Sequence, residues 1–313
     1  MMKKSIVFFM IIMLTILIGA LFQAFDSEEP TVVVVLKDLD TQYFEIVKAG
    51  AEKGLRDFGM NGKVVAPNNE SEEDVQENLL KTILYDNPDV LIVSPVTADI
   101  IPILRKFVKR DIPVLLLDTY YPWVYITSYI GTNNIELGRR GGMLLASSLQ
   151  PGDKVALLAG EMSHPISRDR IKGANMSLAA AGIEIVEIVD LPNETALVKE
   201  AMETALQEHP DIKGVYTVTD IMALTVFHVI EEYGLTLPIV GADGINEMIE
   251  LVEEGTLPGT VAQNPYDMGY FSIEAAMKVI NGEKVDRTID SGVDIIIKGN
   301  AKERLDFQKR LLR

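Results

Sequence analysis

The sequence predicts an α/β protein made of two similar lobes, each built on a parallel sheet covered by helices. Strand-like apolar runs alternate with stretches of helical periodicity along most of the chain, which is typical of parallel sheets. The second half also repeats the pattern of the first half, element by element. The length of 313 residues is enough for two ordinary domains.

The first strand and helix show this pattern most clearly. Residues 31–36 form an unbroken strand-favouring run, as expected of a strand buried on both faces. A polar loop follows, and apolar residues then recur at helical spacing from Tyr43 to Phe58. Ligands bind beyond the carboxyl ends of parallel strands, so the polar loop after this strand is predicted to be part of a site.

The remaining elements follow in alternation. Predicted strands lie at 63–66, 90–94, 114–118, 125–130, 154–159, 184–189, 214–217, 239–241 and 259–262. Predicted helices between them include 71–86, 135–148, 170–181, 195–207, 221–233 and 246–253.

Several segments recur in the same order, which supports the prediction of two lobes. KAGAEKGLRDFG ends at Gly59, and its counterpart IKGANMSLAAAG ends at Gly182. NPDVLIVSPVT is echoed by HPDIKGVYTVTD, and IPVLLLDT by LPIVGADG. In the last pair a proline opens the strand and an aspartate, Asp118 or Asp243, closes it. Repetition of this kind predicts two similar units with a ligand cleft between them.

Residues 1–25 differ from the rest of the chain. Two lysines precede residues 5–25, a run without charge that is long enough to cross a membrane. Two interpretations remain open: a cleaved secretion signal and an uncleaved membrane anchor. Both place the remainder of the chain outside the cytoplasm, since the lysines favour a cytoplasmic N-terminus.

Composition excludes several functions. A formal net charge of −17 argues against a nucleic-acid-binding surface. The absence of cysteine excludes disulfides, thiol nucleophiles and lipid-modified cysteines. The three histidines, His164, His209 and His228, lack metal-ligand spacing, so no metal and no cofactor are expected.

Together these segments resemble the periplasmic sugar-binding proteins of the ribose-binding type. The resemblance spans 31–299 and rests on the following segments: Tyr43-Phe44 after the first strand, PVLLLDT, GTNN, SRDRIKGA, VTDIMAL, VGADG and TVAQNPYDMG. It implies two Rossmann-like lobes joined by three crossovers, the periplasmic binding protein-like fold of type I. The crossovers are expected near 132–133, 263–264 and 290–291. The first lobe would comprise 31–132 and 264–290, the second 133–263 and 291–299, with 300–313 as a tail.

The resemblance also implies a set of ligand-binding residues. Aromatic rings suit the apolar faces of a sugar, and carboxylates, amides and guanidinium groups suit its hydroxyls. The expected ligand-binding residues are Lys37, Tyr43, Phe44, Asp118, Arg170, Thr219, Asp220, Asp243 and Gln263. Purely structural alternatives remain for several of these residues: a core position for Phe44, a helix cap for Asp243 and a hinge contact for Gln263.

Three positions depart from the ribose-binding pattern. Thr119 stands where some of these proteins have an arginine, and Thr41 and Thr219 stand where asparagine is usual. The ligand is therefore left open between pentoses, hexoses and a sugar-like signal molecule. Trp123, the only tryptophan, is expected to serve packing or the rim of the cleft.

Two membrane partners are compatible with such a protein. One is an ABC permease that receives the sugar, and the other is a membrane histidine kinase that senses the closed state. An enzyme is not expected, because no phosphate-binding loop or nucleophile elbow is present. A glycosidase-like pairing of Asp118 and Asp243 is the remaining enzymatic alternative.

Overall fold

The computed structural model describes residues 30–67, 73–192 and 194–312. The hydrophobic segment 1–25, predicted to be a signal or an anchor, lies outside these residues. Within the described ranges, no helix combines the length and the hydrophobicity needed to cross a membrane.

The first lobe is built on a six-stranded sheet in which every neighbouring pair is parallel. Its strands are β1 (Thr31–Val35), β2 (Asn61–Val65), β3 (Val90–Val93), β4 (Val114–Leu117), β5 (Ser128–Gly131) and β12 (Thr288–Asp290). They lie in the spatial order β12-β5-β4-β3-β1-β2. The inner strands β3 and β4 are buried throughout, which explains their unbroken apolar sequences.

Four helices cover this sheet. They are α1 (Gln42–Phe58), α2 (Glu73–Asp86), α3 (Ile101–Val108) and α9 (Pro265–Ile280), with a short 3₁₀ turn at Ala98–Ile100. Helices α1 and α9 cross closely at two glycines. A Cβ on Gly50 would overlap the Tyr266 carbonyl, and one on Gly269 would overlap the Val47 carbonyl.

The second lobe contains two sheets. One has four parallel strands in the order β7-β6-β8-β9, namely β6 (Lys154–Leu158), β7 (Glu184–Val189), β8 (Ile212–Thr217) and β9 (Ile239–Val240). The other has three strands in the order β10-β11-β13, namely β10 (Ala242–Asp243), β11 (Thr260–Gln263) and β13 (Val293–Ile296).

The helices of the second lobe repeat the packing of the first. They are α4 (Asn134–Ala146), α5 (Pro165–Ala180), α6 (Thr195–Glu208), α7 (Asp220–Glu232), α8 (Asn246–Glu254) and α10 (Ala301–Leu311). Helices α4 and α5 cross at Gly138 and Gly173, where a Cβ would overlap the carbonyls of Arg170 and Ile135. Gly173 follows the same sequence pattern as Gly50, so the internal repeat reflects two equivalent helix crossings.

The chain changes sheet three times. It leaves the first lobe after β5, returns to it between β11 and α9, and leaves again between β12 and β13. Side chains at these crossings touch: the Thr132 hydroxyl donates to Gln263 Oε1 at 2.7 Å and lies 3.4 Å from Ser291 Oγ. The predicted α/β fold with two lobes and a three-crossover hinge is confirmed.

One feature departs from the predicted parallel sheets. Strand β13 pairs antiparallel with β11, with Thr260 opposite Ile296 and Gln263 opposite Val293. The chain enters β13 directly from the crossover after β12, so it meets β11 from the opposite direction. Helix α10, formed by the predicted tail, packs on the same lobe through buried Leu305 and through Gln308, which donates to the Gly244 carbonyl at 3.0 Å.

Candidate functional site

The candidate site lies between the lobes, at the carboxyl ends of their strands. The first lobe contributes Lys37 after β1, Tyr43 in the first turn of α1 and Asp118 after β4. The second contributes Asp243 at the end of β10 and Arg170 in α5. The positions of these residues in their strands and helices therefore place the side chains in one cleft, as expected for parallel α/β sheets.

Asp118 is the centre of the first-lobe half of the site. Its Oδ2 lies 3.1 Å from Lys37 Nζ and accepts a 3.0 Å hydrogen bond from the Thr119 hydroxyl. Its Oδ1 accepts from the Tyr43 hydroxyl at 3.0 Å. Burial by itself would raise the pKa of Asp118, but the Lys37 ammonium and these hydrogen bonds outweigh it and hold the pKa below its usual range. Asp118 is therefore ionised.

Asp243 is the centre of the second-lobe half. Its Oδ1 accepts from Arg170 at 2.8 Å and from Gln263 Nε2 at 2.7 Å. Burial raises the pKa of Asp243, and the Arg170 charge only partly offsets that effect. Both donors lie on Oδ1, so Oδ2 is available to a ligand hydroxyl.

Arg170 is held rigidly in its place. It also donates to the Val218 carbonyl at 2.6 Å and, through Nε, to Asn134 Oδ1 at 2.9 Å. Its side chain is only 3% exposed. A buried guanidinium with three fixed partners orients the Asp243 carboxylate rather than moving with solvent.

The Tyr43 hydroxyl and the Gln263 side chain connect the two halves. The Tyr43 hydroxyl lies 3.0 Å from Asp118 Oδ1 and 3.1 Å from Gln263 Oε1. Gln263 in turn donates to Asp243, as described above. Burial, followed by the Asp118 charge, raises the pKa of Tyr43 well above its usual value, so the phenol stays neutral.

Both site carboxylates lie on unusual backbone. Asp118 has a φ of 62° and Asp243 a φ of 121°, a region that non-glycine residues rarely adopt. The Asp118 carbonyl accepts a 2.8 Å hydrogen bond from the Tyr129 hydroxyl, which holds that turn in place. Backbone strain of this kind is characteristic of functional sites.

Two of the predicted ligand-binding residues, Asp220 and Thr219, satisfy backbone groups of the second lobe. Asp220 is fully buried, and its Oδ2 accepts from the amides of Gly244 and Ile245 at 2.6 and 3.0 Å. Burial raises the pKa of Asp220 to about 7. Thr219 caps helix α7 by accepting from the Met222 amide at 3.3 Å. Asp220 therefore holds the turn after Asp243, and Thr219 holds the start of α7.

Phe44 lies at the border between core and cleft. Its ring is only 4% exposed and packs within the first-lobe core. Lys37 Nζ lies 5.8 Å from the ring centroid, which is a cation–π distance. Trp123 is likewise buried in the first-lobe core, at 5% exposure, and agrees with the packing interpretation.

The cleft also contains residues that sequence reasoning missed. His164 precedes α5 and lies 6.3 Å, centroid to centroid, from the Tyr121 ring of the other lobe. Burial and the charge on Lys37 lower the pKa of His164. A second contact between the lobes is the Asn246 backbone amide, which donates to Gln42 Oε1 at 3.3 Å. In the sequence, these residues are marked only by their positions at the starts of helices.

One group of potential metal ligands lies outside the cleft. In the described parts of the chain, Glu187, Glu208 and His209 bring their ligand atoms within 4.8 Å of one another. They lie on β7 and at the end of α6, away from the strand ends that form the site.

Comparison with known proteins agrees with this architecture. Residues 32–284 match the model of the periplasmic binding protein domain family. The chain is 26% identical over 267 residues to the ribose import binding protein of Bacillus subtilis, covering 85% of this chain and 87% of that protein.

Two solved structures are also similar. A solute-binding protein of an ABC transporter from Actinobacillus succinogenes, with bound D-allose, has 25% identity and a TM-score of 0.81, covering 88% of this chain and all of that one (100%). The glucose-galactose binding protein of Geobacillus stearothermophilus has 26% identity and a TM-score of 0.80, covering 88% and 99%. These relatives are binding proteins and not enzymes, which agrees with the expectation for this chain. The chain belongs to the periplasmic binding protein domain family.

Proposed function

We propose that this protein binds a monosaccharide outside the cytoplasm and presents the closed, liganded state to a membrane partner. The observation that carries the proposal is the pair of carboxylates, Asp118 and Asp243, held in one cleft by groups from both lobes. Each carboxylate has either an oxygen atom or a neighbouring hydrogen-bond donor that can bind a sugar hydroxyl. Charge-assisted hydrogen bonds of this kind contribute about 1.5–3 kcal/mol each.

The charge balance of the cleft favours a neutral ligand. Lys37 pairs with Asp118 at 3.1 Å, and Arg170 pairs with Asp243 at 2.8 Å. Each negative charge therefore has its own positive partner. A polyhydroxylated ligand can bridge the two pairs without leaving an uncompensated charge in a buried site.

The size of the ligand is proposed to be that of a pentose or hexose. The relatives described above bind ribose, allose, and glucose or galactose according to their names. Thr119 stands where some ribose-binding proteins have an arginine, and Thr219 stands where an asparagine is usual. A pentose other than ribose, or a hexose, fits this change best.

An ABC permease is the partner that the relatives favour, since one of them is named an import binding protein and another is named as part of an ABC transporter. A membrane histidine kinase is the second candidate. It is supported by the absence of a cysteine for lipidation together with the hydrophobic segment 5–25, which suits a permanent tether. Crosslinking in cells separates the two, because the sugar should change the contact with either the permease or the kinase ectodomain. An unchanged crosslinking pattern with every sugar that binds would argue against both.

The sugar proposal is tested by calorimetric titration of the full chain, in mild detergent, with common pentoses and hexoses. At least one sugar should bind saturably, and the Asp243→Asn variant should bind it at least about tenfold more weakly. Asp306→Asn, which changes an exposed carboxylate on α10, is the matched control and should bind normally. Saturable binding with the same affinity in Asp243→Asn would overturn the site. Absence of binding by every sugar would overturn the ligand class.

A further inference from the structure

A second cavity lies between the lobes, beside the hinge. Its volume is about 300 Å³, which is large enough for a small organic molecule. The first lobe contributes Tyr120 and Tyr129, the crossover contributes Asn133 and Asn134, and the second lobe contributes Pro165, Ile166 and Asp169, with Asp290 at the end of β12. None of the nine residues predicted to bind sugar lines this cavity.

The charged side chains of the cavity lining are both carboxylates. Asp290 uses Oδ1 to accept from the amides of Asn133 and Gly292, at 3.2 and 3.0 Å. Its second oxygen, Oδ2, therefore remains available. Asp169 has only a long contact, 4.0 Å, to the exposed Arg168. No lysine, arginine or histidine is found among the described residues that line the cavity.

Arg170 and Arg287, two arginines near the cavity, form hydrogen bonds with groups outside it. Arg170 faces Asp243 and the Val218 carbonyl and reaches the cavity wall only through Asn134. Arg287, next to Thr288, donates to the carbonyls of Ile126 and Val124, both at 3.0 Å. Among the described residues, Arg168, 4.0 Å from Asp169, is therefore the one cationic group within ion-pair distance of either carboxylate of the cavity.

Aromatic rings complete the lining. Tyr120 and Tyr129 lie with ring centroids 5.2 Å apart, and Tyr120 is 39% exposed. An electron-rich ring face beside carboxylates is the usual environment for an organic ammonium group, which both groups attract electrostatically. The apolar side chains of Pro165 and Ile166 suit the carbon skeleton of such a molecule.

We infer that this hinge-side cavity is a second ligand site, for a small organic ammonium compound. The site goes beyond the proposed sugar function and does not depend on it. Both lobes line the cavity, so an occupant stabilises one hinge angle in preference to others. Asn134 links the two sites, because it lines the cavity and accepts from the same Arg170 that holds Asp243.

Calorimetric titration of the full chain in detergent tests this inference, with choline chloride and ethanolammonium chloride as probes. The neutral analogue 3,3-dimethylbutan-1-ol has the shape of choline without its charge, and sodium chloride keeps the ionic strength constant. At least one ammonium probe should bind saturably, about tenfold or more tightly than the neutral alcohol. Absence of saturable binding by both probes, or equal binding of the alcohol, would overturn the site.

Variants locate the binding. Asp290→Asn keeps an oxygen for the Asn133 and Gly292 amides but removes the charge, and Asp169→Asn removes the second charge. Each should weaken binding of the ammonium probe about threefold or more, whereas the exposed control Asp306→Asn should not. Asp243→Asn should weaken probe binding less than either of these variants, since Asp243 does not line this cavity. Weakening by Asp243→Asn alone would instead place the probe in the sugar cleft and contradict the inference.

Discussion

The hydroxyl of Tyr43, on the first helix of the first lobe, lies 3.1 Å from Gln263 Oε1, at the end of a strand of the second lobe. The same hydroxyl lies 3.0 Å from Asp118 Oδ1. A phenol carries one proton, so it donates to only one of these acceptors at a time. Tyr43 therefore has one acceptor on each lobe within hydrogen-bond distance and connects the lobes across the hinge.

Replacement of Tyr43 tests whether this bond holds the lobes together. Tyr43→Phe should widen the distribution of lobe separations in the ligand-free protein and weaken sugar binding about three- to tenfold, since one hydrogen bond contributes about 1 kcal/mol. Small-angle scattering and calorimetry measure the two effects. Tyr270→Phe is the matched control, because its hydroxyl contacts Asp57 within the first lobe at 3.3 Å. Equal behaviour of both variants would exclude a bridging role for Tyr43.

Removal of the Asp243 charge separates ligand binding from structural capping. Asp243→Asn should lower the rise in melting temperature that saturating sugar produces, because less binding free energy is coupled to folding. It should also destabilise the ligand-free protein, since Arg170 is 3% exposed and loses its ionic partner. Melting curves with and without sugar measure both quantities. If sugar raises the melting temperature of a destabilised variant as much as that of the wild type, Asp243 has a purely structural role.

Asp220 should make stability depend on pH. Its pKa is raised to about 7 by burial, so the folded state binds a proton that the unfolded chain releases at lower pH. Stability from this group is therefore present below the unfolded value near pH 4 and is lost as pH rises through about 7. We expect the loss to be on the order of 1–4 kcal/mol between about pH 5 and pH 8.

The Asp220→Asn variant isolates this effect in urea melts. His164 acts in the opposite direction, because its lowered pKa makes the folded state lose stability as pH falls below the ordinary histidine value. That contribution is the same in both proteins. The free energy of unfolding of Asp220→Asn should therefore increase relative to that of the wild type as pH rises. A difference that stays constant with pH would rule out the raised pKa of Asp220.

The N-terminal segment predicts membrane retention. Residues 5–25 carry no charge and follow two lysines. The full chain, expressed in a bacterial host, should stay with the membrane fraction after a high-salt wash and migrate at its full-length mass. Immunoblotting of the fractions with N-terminal sequencing is the measurement. A soluble protein beginning near Leu21 or Phe25 would identify a cleaved signal instead.

The sequence alone determined the two lobes and the positions of most strands and helices. Local patterns suffice there, because a strand buried on both faces must be apolar throughout and a surface helix must be apolar on one side. The strand runs before Asp118 and Asp243 are examples. The sequence also placed these aspartates at strand ends, which fixed them to the cleft edge of the sheets.

Tertiary structure decided what those side chains do. Asp220 and Asp243 both follow strand-like runs, yet Asp220 turns inward to accept from the Gly244 and Ile245 amides, whereas Asp243 faces Arg170. The direction of β13 and the bridge from Tyr43 to Gln263 depend on segments thirty or more residues apart meeting at the hinge. Periodicity describes one segment at a time, so the partner of a buried polar group is settled only when the lobes pack together.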